Sequence, residues 1–126
     1  MKLKHFIVPS IFDHKDVTCG WGNGYIVIPK GHPILDGKHD DLFEDLGYNL
    51  PYVHGGCTYT NLVPSDNHHN RWHKEHTEPG DFIIGFDTSH SGDSLEKWPG
   101  PISVLKETVL WKHKLEKFFE RYINIK

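Results

Sequence analysis

Apolar residues fall into short runs broken by glycine, proline and polar clusters, until one long amphipathic stretch closes the chain. Leu3 to Val8 reads as a first strand ended by Pro9. Tyr25-Ile26-Val27-Ile28 is an unbroken β-prone run after the turn-rich Gly20-Trp21-Gly22-Asn23-Gly24, and predicts a second strand with both faces covered. His39 to Leu46 carries Leu42, Phe43 and Leu46 on one side and stops at Gly47, the pattern of a short helix. Tyr52 to Thr60 is expected to be a third strand, with His54, Gly56, Thr58 and Thr60 on one face. Asp81 to Asp87 is expected to be a fourth, with Phe82, Ile84 and Phe86 facing one way and Ile83, Gly85 and Asp87 the other. Residues 64–80 and 91–101 read as surface loops.

From Val104 to Tyr122 the periodicity changes. Val104, Thr108, Trp111, Leu115, Phe118 and Tyr122 recur at steps of four and three, one stripe of a helix that Ser103 would cap. Lys106, Lys112, Lys114, Glu116, Lys117 and Glu120 occupy the rest, a solvated face. Strands first and a long helix last predict an α+β fold, a small antiparallel β-sheet packed against a long C-terminal helix. No repeat or long linker divides the chain, so residues 1–126 are expected to form a single domain.

Composition narrows the function classes. The 126 residues are 37% apolar and 25% charged, the balance of an ordinary soluble domain. No window approaches the roughly 20 apolar residues of a membrane helix, and the opening Met1-Lys2-Leu3-Lys4-His5 does not lead into a secretory signal. Lys plus Arg is 14 against 17 for Asp plus Glu, so the basic surface of a duplex binder is not expected. Two cysteines, Cys19 and Cys57, cannot make a zinc CxxC pair and are expected to be reduced and packed. The unusual count is 11 histidines. Imidazole titrates near neutrality, shuttles protons and binds metals, although most histidines in polar loops are simply solvated.

Three segments combine residues suited to chemistry. Lys30-Gly31-His32-Pro33 presents a cation and an imidazole on a tight turn after the second strand, and suits an anion such as phosphate. Trp21 and Tyr25 precede it and could stack on a base, or be core. His54-Gly55-Gly56 places an imidazole beside a gap that a bulge or an approaching ligand would explain, with Tyr59 following. Asp87, His90 and Asp93 are spaced by three residues at a strand end. That is either an acid–base pair or ligand clamp, or a turn that Asp87 caps. His68-His69-Asn70-Arg71-Trp72-His73 contains an HxxxH spacing without a carboxylate or thiol cluster, so no metal is expected there. Recognised phosphate-loop, dinucleotide, zinc-protease and serine-hydrolase motifs are absent, and no cofactor is expected.

Gly24-Tyr25-Ile26-Val27-Ile28-Pro29-Lys30-Gly31-His32-Pro33, His54-Gly55-Gly56-Cys57-Thr58-Tyr59 and Ile84-Gly85-Phe86-Asp87-Thr88-Ser89-His90-Ser91-Gly92-Asp93 resemble GYVxxPKGHP, HGGLTY/F and GFDxAHxxD. In that combination the chain resembles a family of small, mostly uncharacterised bacteriophage and prophage proteins, over about residues 20 to 115. Cys57 stands where that pattern has Leu, and Ser89 where it has Ala. The resemblance implies a phage protein acting in the cytoplasm of a host bacterium. By analogy it also implies a counter to host defence, where nucleotide second messengers are recurrent targets.

The leading expectation is a sponge that sequesters a small anionic, nucleotide-derived immune signal without cleaving it. Its contacts would be Trp21, Tyr25, Lys30, His32, His54, Tyr59, Asp87 and His90, gathered where strand tips converge. A tight binder of this kind is expected to share pockets in a homo-oligomer. The alternative is a hydrolase or phosphodiesterase acting on such a nucleotide, with His54 and His90 as acid and base and Asp87 orienting one of them. A third reading is a protein–protein inhibitor using the C-terminal helix or the Trp72 loop, with no membrane partner in any of the three.

Overall fold

Gly22–Ile28 forms β2, and its alternating side chains divide the molecule into two layers of packing. The structure, a computed structural model, describes residues 2–10, 19–46, 49–64 and 75–125. The remaining strands are β1 (Lys4–Pro9), β3 (Tyr59–Leu62) and β4 (Phe82–Phe86), followed by the helix α1 (Pro101–Ile125). All neighbours pair antiparallel, in the order β1-β2-β4-β3. The architecture is therefore the expected α+β one, a four-stranded antiparallel sheet with one long C-terminal helix across it. No helix among the described residues is long and apolar enough to cross a membrane.

β2 is central and covered on both faces, as its unbroken apolar run predicts. Ile26 and Ile28 join Ile84, Phe86, Val104, Trp111, Leu115 and Phe119 between sheet and helix. Tyr25 and Val27 join Phe6, Val8, Val63 and Ile83 on the far side. The helix approaches closely because Gly24 has no side chain. A Cβ there would run into Thr108 Oγ1 and the Phe86 ring. Thr108 is itself fully buried and satisfies its hydroxyl by donating to Val104 O at 2.7 Å.

Several boundaries differ from expectation for identifiable reasons. The helix begins at Pro101 rather than Val104, since proline is tolerated in a first turn whose N–H groups lack intrahelical partners. Ser103 then lies inside the helix and donates to Gly100 O at 2.7 Å instead of capping. Phe119 (1% exposed) replaces Phe118 in the buried stripe, because 3.6 residues per turn drift off a strict seven-residue repeat. Residues 40–46 are 3₁₀ rather than α-helical.

The larger correction is the third strand. Only Tyr59–Leu62 pairs, and residues 53–56 form a tight turn closed by Gly56 N–H to Val53 O at 2.8 Å. Gly55 and Gly56 have φ of +68° and +80°, a left-handed conformation that L side chains resist. His54, Gly56, Thr58 and Thr60 therefore do not share a strand face.

Candidate functional site

Two glycine turns face each other at one end of the sheet. Val53–Gly56 is the first, with Gly55 in its third position. His90–Asp93 is the second, closed by Asp93 N–H to His90 O at 2.9 Å, with Gly92 at φ +90° in its third position. A positive φ at that place is what a type II turn demands. The second turn is tied to the start of β2 by Thr88, whose Oγ1 donates to Gly22 O and whose carbonyl accepts from Gly20 N–H, each at 2.7 Å.

The turns place two imidazoles on one carboxylate. His54 Nε2 lies 2.7 Å from Asp93 Oδ1, and His90 Nδ1 lies 3.3 Å from Asp93 Oδ2. Trp98 Nε1 donates to Oδ1 at 3.2 Å, and the His90 backbone N–H to Oδ2 at 2.9 Å. The Asp93 side chain is only 3% exposed, while those of His54 and His90 are 31% and 33% exposed. Burial alone would raise the Asp93 pKa. The hydrogen bonds from the His90 backbone and from both imidazoles outweigh it and hold this carboxyl below the usual range.

An ionised carboxylate only accepts hydrogen bonds, so the ring nitrogens facing it carry the protons. His54 Nδ1 and His90 Nε2 are left as the other nitrogens, and among the described residues no hydrogen bond engages them. The same contacts lock both tautomers.

The surroundings hold these groups in place. The His54 backbone N–H donates to Glu107 Oε2 on α1 at 2.9 Å, and Gly55 N–H to Tyr52 Oη at 3.3 Å. Gly55 lets the His90 ring lie against the main chain, where a Cβ would collide with it. The Trp98 ring lies 4.6 Å from the His54 ring at 52°. Lys97 Nζ donates to Gly92 O at 3.0 Å, which puts one cation on the rim. Asp87 caps the turn and also lies beside His90. Its Oδ1 accepts from Ser89 N–H at 3.0 Å and lies 3.3 Å from His90 Nδ1.

Of the eight residues singled out from the sequence, His54, Asp87 and His90 meet here. Trp21 reaches the same end through its backbone N–H, which donates to Trp98 O at 2.9 Å, but its ring packs against the core. Tyr25 and Tyr59 lie on the sheet face away from the helix, with ring centroids 5.6 Å apart. The Tyr25 ring fills the space that Gly85 leaves, so that glycine opens no ligand gap. Burial pushes both phenols up in pKa.

Lys30 and His32 sit at the opposite end of the sheet. Lys30 N–H donates to Asp81 Oδ1 at 2.9 Å, just before β4 starts, whereas Asp87 follows its end. Six residue steps along a strand separate the two aspartates, about 20 Å. His32 is buried, accepts from Ile34 N–H on Nδ1 at 3.1 Å, and sets its ring edge against Phe119. Lys30 instead borders a cleft of about 510 Å³ with Leu35, Phe43, Leu62 and Phe82.

Two members of the cluster, Asp93 and Trp98, were not among those eight. The turn signature Ser91-Gly92-Asp93, three residues after His90, is the signal for Asp93. Nothing local marks Trp98. Cys19 and Cys57 are free thiols, and burial raises the Cys57 pKa, which makes it a poor nucleophile. The histidines at 68, 69 and 73 and Trp72 lie outside the described residues. Compared with known protein families, curated proteins and solved structures, the chain has no match in any of the three.

Proposed function

We propose that the protein binds a small phosphate-bearing ligand of nucleotide type at the His54–Asp93–His90 cluster. The observation that carries this reading is the pair of one-third-exposed imidazoles fixed on a single buried carboxylate. Among the described residues, each ring keeps one nitrogen free of protein hydrogen bonds, which accepts from a ligand N–H or O–H and donates to a phosphate oxygen when the ring is protonated. The Trp98 ring beside His54 suits a flat base, and Lys97 on the same turn suits a phosphate oxygen. In the phage setting that the sequence resemblance implies, such a ligand would be a host immune signal withheld from its effector.

Hydrolysis of the same ligand is the second reading, and the shared carboxylate favours it. In-line displacement at phosphorus needs a base on the entering side and an acid on the leaving side. Two imidazoles with centroids 5.8 Å apart could serve those two sides, with Asp93 stabilising whichever ring holds the extra proton.

One experiment tests both. The protein is incubated with cyclic dinucleotides and ADP-ribose derivatives, filtered, heat-denatured, and the released material analysed. Depletion followed by release of intact ligand is expected, and His54→Ala or His90→Ala should abolish it. Altered ligand replaces capture with hydrolysis. No depletion and no conversion across the panel overturns both readings.

A further inference from the structure

Three carboxylates contact the two histidine residues: Asp93 and Asp87 at the rings and Glu107 at the His54 backbone. Against them, among the described residues, Lys97 stands on the rim. With neutral imidazoles these named groups sum to a negative charge, the wrong sign for a phosphate. A ligand of that class needs a positive centre beyond what these side chains supply.

We propose that His54, His90 and Asp93 hold a divalent transition-metal ion, which supplies that centre. Nitrogen from two imidazoles and oxygen from one carboxylate is a donor set that zinc and its neighbours prefer. One such atom from each residue already lies within 4.8 Å of the others. Three protein ligands leave a coordination position open for a phosphate oxygen.

The carboxylate is oriented for the task. The ion takes the place of the protons shared with the two imidazoles. The Trp98 indole N–H on Oδ1 and the His90 backbone N–H on Oδ2 remain, the outer contacts that aim a metal-binding carboxylate. The 2.7 Å between His54 Nε2 and Asp93 Oδ1 is a hydrogen-bond length. Bonds of about 2.0–2.1 Å in a tetrahedral site require roughly 3.3 Å between ligands, so loading the ion spreads this pair by roughly 0.6 Å. A side-chain rotation at the one-third-exposed His54 ring provides it. Each neutral imidazole binds the ion through the nitrogen that faced Asp93 and carries its one proton on the other, His54 Nδ1 or His90 Nε2, so loading involves no net proton release and no redox change.

The ion's role rests on the ligand reading above, but its binding does not, and the test separates them. EDTA-stripped full-length protein is titrated with Zn²⁺ by calorimetry and with Co²⁺ by visible absorption, without nucleotide. One ion bound per chain at this cluster is expected, with an affinity reduced about tenfold or more by His54→Gln and by His90→Gln. A variant carrying His69→Gln and His73→Gln should bind as the parent does. Imidazole ¹⁵N resonances of the unmodified protein provide a measurement that needs no variant, and those of His54 and His90 should move together on Zn²⁺ addition. Absence of binding, unchanged affinity in the first two variants, or loss in the His69/His73 variant overturns the site. Nucleotide captured equally well in EDTA overturns the ion's role and leaves the ligand reading standing. An ion bound with no nucleotide captured overturns the ligand reading and leaves the site standing.

Discussion

His54 Nε2 meets Asp93 Oδ1 at 2.7 Å across 39 residues of sequence, and this contact joins the two glycine turns. Each turn is local, but the contact between them depends on β4 running beside β3, which brings the chain after Phe86 back to the segment before Tyr59.

The turns make a differential prediction. Gly55→Ala and Gly56→Ala both force a left-handed alanine, at about 1–2 kcal/mol each. A Cβ at Gly56 meets open space, whereas one at Gly55 strikes the His90 ring. Chemical denaturation should therefore show Gly55→Ala as the less stable variant. Its His90 resonances should shift, while those of Gly56→Ala stay near the parent's.

Helix–sheet contact gives a second. Gly24→Ala places a methyl against Thr108 Oγ1 and the Phe86 ring, both buried to 1% exposure or less. Overpacking of that kind costs about 1–3 kcal/mol, read as a lower denaturation midpoint with an unchanged slope.

A third compares neighbours on α1. Phe119→Ala should lose about 3–5 kcal/mol, since that ring is 1% exposed. Phe118 only flanks the core, and Phe118→Ala should lose clearly less. Equal losses would contradict the observed stripe.

The fourth concerns pH. Burial lowers the His32 pKa from its ordinary 6.5, and its Nδ1 must stay bare to accept the Ile34 N–H. The unfolded chain therefore takes up a proton more readily than the folded one. The stability due to neutral His32 is complete above pH 6.5 and declines as pH falls from there toward the folded value. His5 shifts the same way, through burial and then Lys112. Melting temperature should thus fall between pH 7 and 5.5. His32→Asn, whose side-chain oxygen can accept from Ile34 N–H, should flatten that dependence.

What could be read from the sequence follows the range of the interactions. The covering of β2 on both faces and the long helix are written in the local apolar pattern, so both were legible, as were His54, Asp87 and His90 as individual groups. Strand direction was not. Gathering Lys30, His32 and Asp87 at one set of strand tips requires β2 and β4 to run the same way, and they pair antiparallel from Gly24↔Phe86 to Ile28↔Phe82. Tyr25 and Tyr59 went astray for a related reason. Gly85 reads as a vacancy until the neighbouring strand supplies a ring to fill it. The mistaken third strand came from reading apolar content through two glycines whose positive φ ends any strand there.

The opposed directions of β2 and β4 give this small sheet two poles that answer to different parts of the chain. Residues 29–36 and the apolar cleft belong to one, and residues 53–56 and 87–98 to the other. Loop replacement at either pole can proceed with the other intact, because the shared strands between them are buried on both faces and tolerate little movement. A domain of this size can therefore vary the loops at one tip while leaving those at the other unchanged.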